Sequence, residues 1–137
     1  MEEFESIGHY SSKSSESLQG LVVGLSGGLG AGKTHFVKKL VEKLDPETTE
    51  VVSSPTFNIC NIYQLNQLTI HHYDLYRMED EEDLENIGIW ESLHDENVLV
   101  FVEWVDLFPS VKSCCNEILT IEIVDENTRS YQIEALS

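Results

Sequence analysis

The chain has 137 residues, 41% of them hydrophobic, and a formal net charge of −17 at pH 7. This length predicts one domain over residues 1–137, large enough to bury a hydrophobic core. No stretch approaches the ~20 apolar residues of a membrane span, and the acidic start of the chain is unlike a secretory signal. The strong negative charge argues against direct binding to a nucleic-acid backbone.

The cysteines and lysines place further limits on the class of protein. Cys60, Cys114 and Cys115 have no metal-ligand spacing, and an odd number argues against a disulfide framework. We therefore expect reduced thiols, no membrane association and a cytoplasmic location. Three lysines are interpreted as the solvated face of a helix, with weak contact to an acidic or RNA-bearing partner as the alternative: Lys38, Lys39 and Lys43.

The predicted elements begin with a short amphipathic helix over 2–10 and a serine-rich loop or weak helix over 11–17. A buried strand over 21–25 precedes a glycine-rich turn, and apolar residues at helical spacing predict a helix that ends at Asp45-Pro46. Next come a short strand at 51–52 and two longer strands, 57–63 and 68–73, which are joined by a polar turn.

The second half of the chain predicts a helix followed by three strands. Acidic residues from Glu79 to Glu85 are expected at the start of this helix, where they interact favourably with its dipole; metal binding by them is the alternative. The helix is expected to carry Leu84, Ile87 and Trp90. The apolar run 98–102 predicts a central strand buried on both faces. Two strands, 118–124 and 131–135, pair across a turn near 125–127.

The glycine-rich turn has the complete pattern of a phosphate-binding loop: glycine, four residues, then Gly-Lys-Thr. Glycines let backbone N–H groups approach an anion, and the helix N-terminus adds partial positive charge. Lys33 is expected to reach the β- and γ-phosphates, and Thr34 to offer its hydroxyl to Mg²⁺. The predicted nucleotide-binding residues of the loop are Gly28, Leu29, Gly30, Ala31, Gly32, Lys33 and Thr34.

Two carboxylates that follow predicted strands are the candidates for metal binding and catalysis. Glu103 follows the most apolar run, as the acid of a Walker B strand does, and Asp74 follows strand 68–73. Ligands gather at the carboxyl ends of strands in open α/β sheets, so both acids are expected to face Mg²⁺. We assign Glu103 to the metal and Asp74 to orienting water, although either acid suits either role. Asp74 is also suited to capping a helix near Tyr76.

The segment 54–56 and Trp104 each have two interpretations. Ser54 and Thr56 flank Pro55, and this segment is either a switch that senses the γ-phosphate through a hydroxyl or an ordinary proline turn. Trp104 either stacks on a base or packs in the core. The sequence lacks the Asn-Lys-x-Asp pattern that reads guanine, which favours ATP over GTP.

The arginines and the paired histidines carry weaker signals. Arg77 and Arg129 are the two arginines of the chain, and each either contacts the nucleotide or forms a surface ion pair. His71 and His72 are interpreted as packed or solvated strand residues, since a pKa near neutrality is common to every histidine. So few arginines predict slow hydrolysis by the chain alone, at a site that a partner completes.

Four motifs occur together in the order and approximate spacing of the bacterial TsaE (YjeE) ATPases. They are residues 29–34, 54–57, 72–77 and 102–104, and the resemblance extends over nearly the whole chain. It implies a three-layer α/β P-loop NTPase domain with a mostly parallel central sheet and antiparallel edge strands. It also implies an ATPase that uses ATP and Mg²⁺ and is required for threonylcarbamoyladenosine at adenosine 37 of tRNA. Such proteins act on the TsaB–TsaD heterodimer and meet tRNA only through that complex.

The same resemblance implies roles for individual residues. Thr34 and Glu103 would hold Mg²⁺, and Asp74, together with Lys33, would be needed for hydrolysis. The switch segments would include Ser54, Thr56 and Arg77, and the nucleotide would lie near Trp104 and Arg129. This chain departs from the family pattern at Gly28, where the family usually has Asp, and at His35, where a second Thr is common.

Two other functions share a P-loop with this interpretation. A small-molecule P-loop kinase would need an arginine-rich lid, which two arginines cannot supply. A non-hydrolysing ATP-sensing assembly module would need no catalytic acid, and Glu103 and Asp74 argue against it. Turnover measurements separate these alternatives from an ATPase.

Overall fold

The computed structural model describes residues 1–47, 51–53 (backbone only) and 59–136. The helices in these ranges are α1 (Glu3–Ser11), α2 (Ser15–Leu18), α3 (Lys33–Leu44), α4 (Glu81–Asn86), α5 (Ile89–Leu93) and α6 (Pro109–Lys112). The strands are β1 (Val22–Ser26), β2 (Val51–Ser53), β3 (Cys60–Gln64), β4 (Thr69–Asp74), β5 (Val98–Glu103), β6 (Glu117–Asp125) and β7 (Thr128–Ala135). A 3₁₀ turn, Val105–Leu107, follows β5.

The strands form one seven-stranded sheet in the order β2-β3-β4-β5-β1-β6-β7. The four central strands β4, β5, β1 and β6 are parallel, whereas β2 and β3 at one edge and β7 at the other pair antiparallel with their neighbours. This confirms the predicted mostly parallel sheet with antiparallel edges. Because parallel strands end at the same side of a sheet, β1, β4 and β5 deliver their last residues to one place.

Helices cover both faces of the sheet, which produces the three predicted layers. β5 is buried along its whole length, as its uninterrupted apolar run predicted. Alternate residues of β5 enter two separate cores. One core contains Leu99 and Phe101 beside side chains of α1 and α3, including Tyr10, Phe36 and Leu40. The other contains Val98, Val100 and Val102 beside side chains of α4, α5 and α6, including Leu84, Ile89 and Val111.

The acidic segment starts a helix, as predicted, through a reciprocal pair of hydrogen bonds. The Asp80 carboxylate accepts from the Asp83 backbone N–H at 3.0 Å, and the Asp83 carboxylate accepts from that of Asp80 at 3.4 Å. The predicted continuous helix through Trp90 is wrong, because the chain forms two short helices. Gly88 separates them with a φ of 70°, a left-handed conformation that ends α4.

Two further points concern the predicted segments. Strand β3 begins at Cys60, and the start predicted at residue 57 lies outside the described residues. Across 1–47, 51–53 and 59–136, no helix has the length and apolarity needed to cross a membrane.

Candidate functional site

The glycine-rich turn joins β1 to the N-terminus of α3 and bends sharply against β6. Gly27, Gly30 and Gly32 have φ values of 145°, 76° and 106°, which L side chains rarely adopt. A Cβ on Gly27 would lie 2.4 Å from the carbonyl oxygen of Ile121. Glycine at residue 27 therefore lets the loop pass close to the sheet and present its backbone at the start of α3.

Lys33 is 5% exposed and lies inside the loop. Its ammonium donates to the carbonyl oxygens of Gly27 at 2.7 Å and Gly28 at 2.9 Å. Burial lowers the pKa of Lys33 below its usual value, although the nearby carboxylates, Glu103 first among them, act in the opposite direction. The structure thus places a cation where the sequence pattern predicted the phosphate-binding lysine.

Thr34 and Glu103 lie in direct contact at the end of β5. The Thr34 hydroxyl donates to Oε2 of Glu103 at 2.6 Å, and Glu103 is 4% exposed. Burial alone raises the pKa of Glu103, but hydrogen bonds from His72 and Thr34 and the charge of Lys33 outweigh burial, so the pKa lies below its usual value. Glu103 is therefore a carboxylate at neutral pH.

His72 is a site residue that the sequence interpretation missed. Its Nε2 lies 2.5 Å from the same Oε2 of Glu103 that accepts from Thr34, and the residue is 3% exposed. The interpretation of His72 as packed is confirmed, but its partner was not foreseen. The two-residue alternation along β4 places His72 on the same face as Asp74, and this signal was available in the sequence.

Asp74 ends β4 directly opposite Glu103 in the parallel pairing of β4 with β5. Its carboxylate accepts from the backbone N–H of Tyr76 at 3.0 Å, which makes a turn. The alternative in which Asp74 caps a helix near Tyr76 is therefore wrong. Asp74 and Glu103 lie at the same end of neighbouring strands, as the sequence predicted.

Lys33, Thr34, Asp74 and Glu103 line one cavity of about 370 Å³ beside the loop, whereas His72 lies behind Glu103 and does not line it. Its walls are Leu29, Gly30, Ala31, Gly32, Lys33, Thr34, His35, Asp74, Tyr76, Glu103 and Trp104. The Trp104 ring lies 4.0 Å from the Lys33 ammonium and 4.9 Å, between centroids, from the Tyr76 ring. The cavity thus joins a cation, two carboxylates and an aromatic surface, which together suit a nucleotide with its phosphates.

Several predicted site residues lie elsewhere or outside the described residues. Arg129 donates to the carbonyl oxygens of Asp125 and Thr128 within the β6–β7 hairpin. Neither it nor Arg77 is among the described residues that line the cavity. Ser54 and Thr56 lie outside the described residues. The nucleotide and switch roles of these four residues remain predictions.

Thr34 and Glu103 suit a divalent cation such as Mg²⁺, which prefers oxygen ligands and commonly takes one or two from a protein beside nucleotide phosphates. Their oxygens lie 2.6 Å apart at the phosphate-binding loop. Within the described ranges there is no group of three or more His, Cys, Asp or Glu that could hold a metal ion. The acidic residues of α4 therefore form no such group, and Thr34 with Glu103 is a partial ligand set that phosphate oxygens and water would complete.

Comparisons with known proteins agree with this architecture. A family model described as threonylcarbamoyl adenosine biosynthesis protein TsaE matches residues 1–133. The tRNA threonylcarbamoyladenosine biosynthesis protein TsaE of Rickettsia felis is 35% identical over 112 residues, covering 82% of this chain and 64% of that protein. The protein of the same description from Aquifex aeolicus is 41% identical over 112 residues, covering 82% of this chain and 75% of that protein.

A solved structure has the same fold. YdiB of Bacillus subtilis matches with a TM-score of 0.65 and 25% sequence identity, covering 100% of this chain and 82% of that one. The chain spans less than two thirds of the length of the Rickettsia felis relative.

Proposed function

Because this chain belongs to the TsaE family, we propose that it is a Mg²⁺-dependent ATPase required for threonylcarbamoyladenosine modification of adenosine 37 in tRNA. The observation that carries the proposal is the contact between Thr34 and Glu103 beside the buried Lys33. Together they provide the cation and the oxygen ligands that a nucleotide triphosphate and its metal require.

Each residue of the cavity has a distinct role in this proposal. The loop backbone and the Lys33 ammonium bind the phosphates, and Thr34 and Glu103 would hold Mg²⁺. When bound, Mg²⁺ supplies positive charge against the negative charge on the phosphate oxygens. Asp74, which lines the cavity, orients the attacking water. Trp104 offers its ring to the nucleotide.

A partner protein is proposed to complete the site. Phosphoryl transfer requires positive charge around the transferred group, and no arginine is found among the described residues of the cavity. We therefore propose that the TsaB–TsaD heterodimer stimulates hydrolysis and that the chain meets tRNA only through this complex. The strongly acidic chain has little basic surface with which to bind tRNA alone.

Phosphate release from Mg²⁺-ATP tests the function directly. The assay compares the chain alone with the chain mixed with the TsaB–TsaD heterodimer. We expect slow release alone and marked stimulation by the heterodimer. Equal rates, or no release in either case, would contradict the ATPase proposal and favour a non-hydrolysing sensor. Phosphorylation of a small metabolite by the isolated chain would favour a kinase.

Replacing Asp74 tests its catalytic role. Asp74→Ala should lower the stimulated rate about hundredfold, because a positioned acid or base typically contributes this much. Asp95→Ala is a matched control, since the Asp95 carboxylate accepts from the Asn97 backbone N–H at 2.9 Å in a similar turn before β5. The control should hydrolyse ATP at the wild-type rate. An Asp74→Ala variant as fast as the wild type would remove Asp74 from the mechanism.

A further inference from the structure

Two side chains bind the same oxygen of Glu103, and among the described residues none hydrogen-bonds the other oxygen. Oε2 contacts the Thr34 hydroxyl at 2.6 Å and His72 Nε2 at 2.5 Å. No hydrogen bond from a described residue reaches Oε1. Two donors on one oxygen restrict rotation of the carboxylate more tightly than one donor would, so they set the direction in which Oε1 points.

The hydrogen bond to Glu103 is what distinguishes the His72 ring from an apolar core side chain. A carboxylate oxygen accepts but does not donate, so His72 Nε2 carries the hydrogen of this bond. The other ring nitrogen, Nδ1, is buried and has no hydrogen-bond partner within the described ranges. Burying an unpaired nitrogen has a free-energy cost that an apolar residue would not incur. The imidazole ring of His72 therefore contributes a hydrogen bond to Glu103, whereas an apolar side chain would fill the same place in the core at a lower free-energy cost.

We infer that His72 is a positioning residue that holds Glu103 so that its Oε1 is presented to a divalent cation beside Thr34. The inference rests on the proposed function, since it needs a cation bound with the nucleotide at this loop. His72 does not line the cavity, so it acts through Glu103 rather than by touching the nucleotide. Groups that hydrogen-bond a metal ligand typically change metal affinity by about 10- to 100-fold when they are removed.

The neighbouring histidine provides a matched control. His71 lies on the opposite face of β4, where its Nδ1 is 2.8 Å from the Ser92 hydroxyl of α5. It belongs to the same strand and forms a hydrogen bond of similar length, but it makes no contact with Glu103. A general disturbance of β4 should therefore follow from substitution of either histidine, whereas a change in the position of Glu103 should follow only from substitution of His72.

The experiment measures how Mg²⁺ strengthens binding of a non-hydrolysable ATP analogue, by calorimetric titration over a range of Mg²⁺ concentrations and in excess chelator. For His72→Leu we expect the Mg²⁺ concentration for half-maximal effect to rise at least about tenfold. Affinity in chelator should be unchanged. His72→Gln, whose amide can donate where Nε2 does, should stay within about threefold of the wild type, as should His71→Leu.

One further variant, His72→Asn, tests the inference even if His72→Leu fails to fold. The side chain of asparagine in His72→Asn is too short for its amide to reach Oε2. This variant should therefore need a higher Mg²⁺ concentration for the half-maximal effect, whereas His72→Gln should stay close to the wild type. Equal Mg²⁺ dependence in the Asn, Gln and wild-type chains would overturn the inference and leave the proposed function intact. If the wild-type chain showed no Mg²⁺-dependent binding, the proposed function and the inference would fall together.

Discussion

Lys33 has partners that it must exchange in order to meet a phosphate. Its ammonium donates to the carbonyl oxygens of Gly27 and Gly28 and lies 4.0 Å from the Trp104 ring. Trp104 itself has a φ of 62°, a left-handed conformation that costs about 1–2 kcal/mol for a residue with a side chain. Backbone strain of this kind persists where the surrounding structure enforces it. At Trp104 the strained conformation accompanies the contact of the ring with the Lys33 ammonium.

Trp104 fluorescence should therefore report nucleotide binding. The chain has two tryptophans, and both pack against the core that contains Val98, Val100 and Val102. Of the two, only Trp104 is among the described residues that line the cavity, where its ring lies beside Lys33. In a Trp90→Phe variant we expect the emission to change on addition of a Mg²⁺-nucleotide, because Lys33 leaves the Trp104 ring for the phosphates. A Trp104→Phe variant, which retains Trp90, should show no change. An equal response from both variants would contradict the proposed movement of Lys33.

At the scale of the element, the phosphate-binding loop depends on a close approach to β6. Gly27 is the point of approach, whereas a Cβ on the adjacent Gly28 would meet no atom of the described part of the chain within 4 Å. The two glycines therefore differ in what they contribute. Gly27 lets the loop pass the sheet, whereas an alanine side chain at Gly28 would meet no described residue.

Alanine substitutions at these two positions should have different effects on stability. Gly27→Ala should lower the free energy of unfolding by about 2–4 kcal/mol, since the added Cβ would clash with the Ile121 carbonyl at a φ of 145°. Gly28→Ala should change it by less than about 1 kcal/mol. Urea unfolding monitored by circular dichroism measures both values. Similar losses at both positions would show that the loop is not held against β6 as described.

At the scale of the whole molecule, 25 acidic and eight basic side chains leave a net charge of −17. Like charges repel one another, and this repulsion is greater in the compact folded state than in the expanded unfolded chain. Partly exposed pairs such as Lys39 with Glu3, 3.0 Å apart between α3 and α1, offset little of it. The folded chain therefore carries an electrostatic destabilisation that dissolved ions can screen.

Added KCl should accordingly raise the melting temperature. Between about 0.02 and 0.5 M the screening length falls from roughly 20 Å to about 4 Å, which removes most of the repulsion between distant charges. A gain of about 1 kcal/mol corresponds to roughly 3–5 °C for a chain of this length. Differential scanning calorimetry without nucleotide or Mg²⁺ measures the shift. A melting temperature that falls with KCl would mean that specific ion pairs outweigh the net charge.

Local sequence patterns were sufficient to predict most of the elements and part of the site. The apolar run of β5, the helical spacing of α3 and the loop between Gly27 and Thr34 each depend on neighbours along the chain. The predicted positions of Glu103 and Asp74 at strand ends were correct for the same reason. The break at Gly88 was missed because the helical spacing of Leu84, Ile87 and Trp90 continues across it.

The sequence by itself determined the phosphate-binding loop, the acids at the strand ends and a central strand buried on both faces, because these follow from short patterns. Only the tertiary structure decided that β4 lies beside β5 and in which register. That pairing brings His72 into hydrogen-bond contact with Glu103, 31 residues away along the chain. The pairing of β1 with β5 places the start of α3 beside Glu103, where Thr34, 69 residues away, donates to it. Contacts between residues so distant depend on strand order and register, which no local pattern contains.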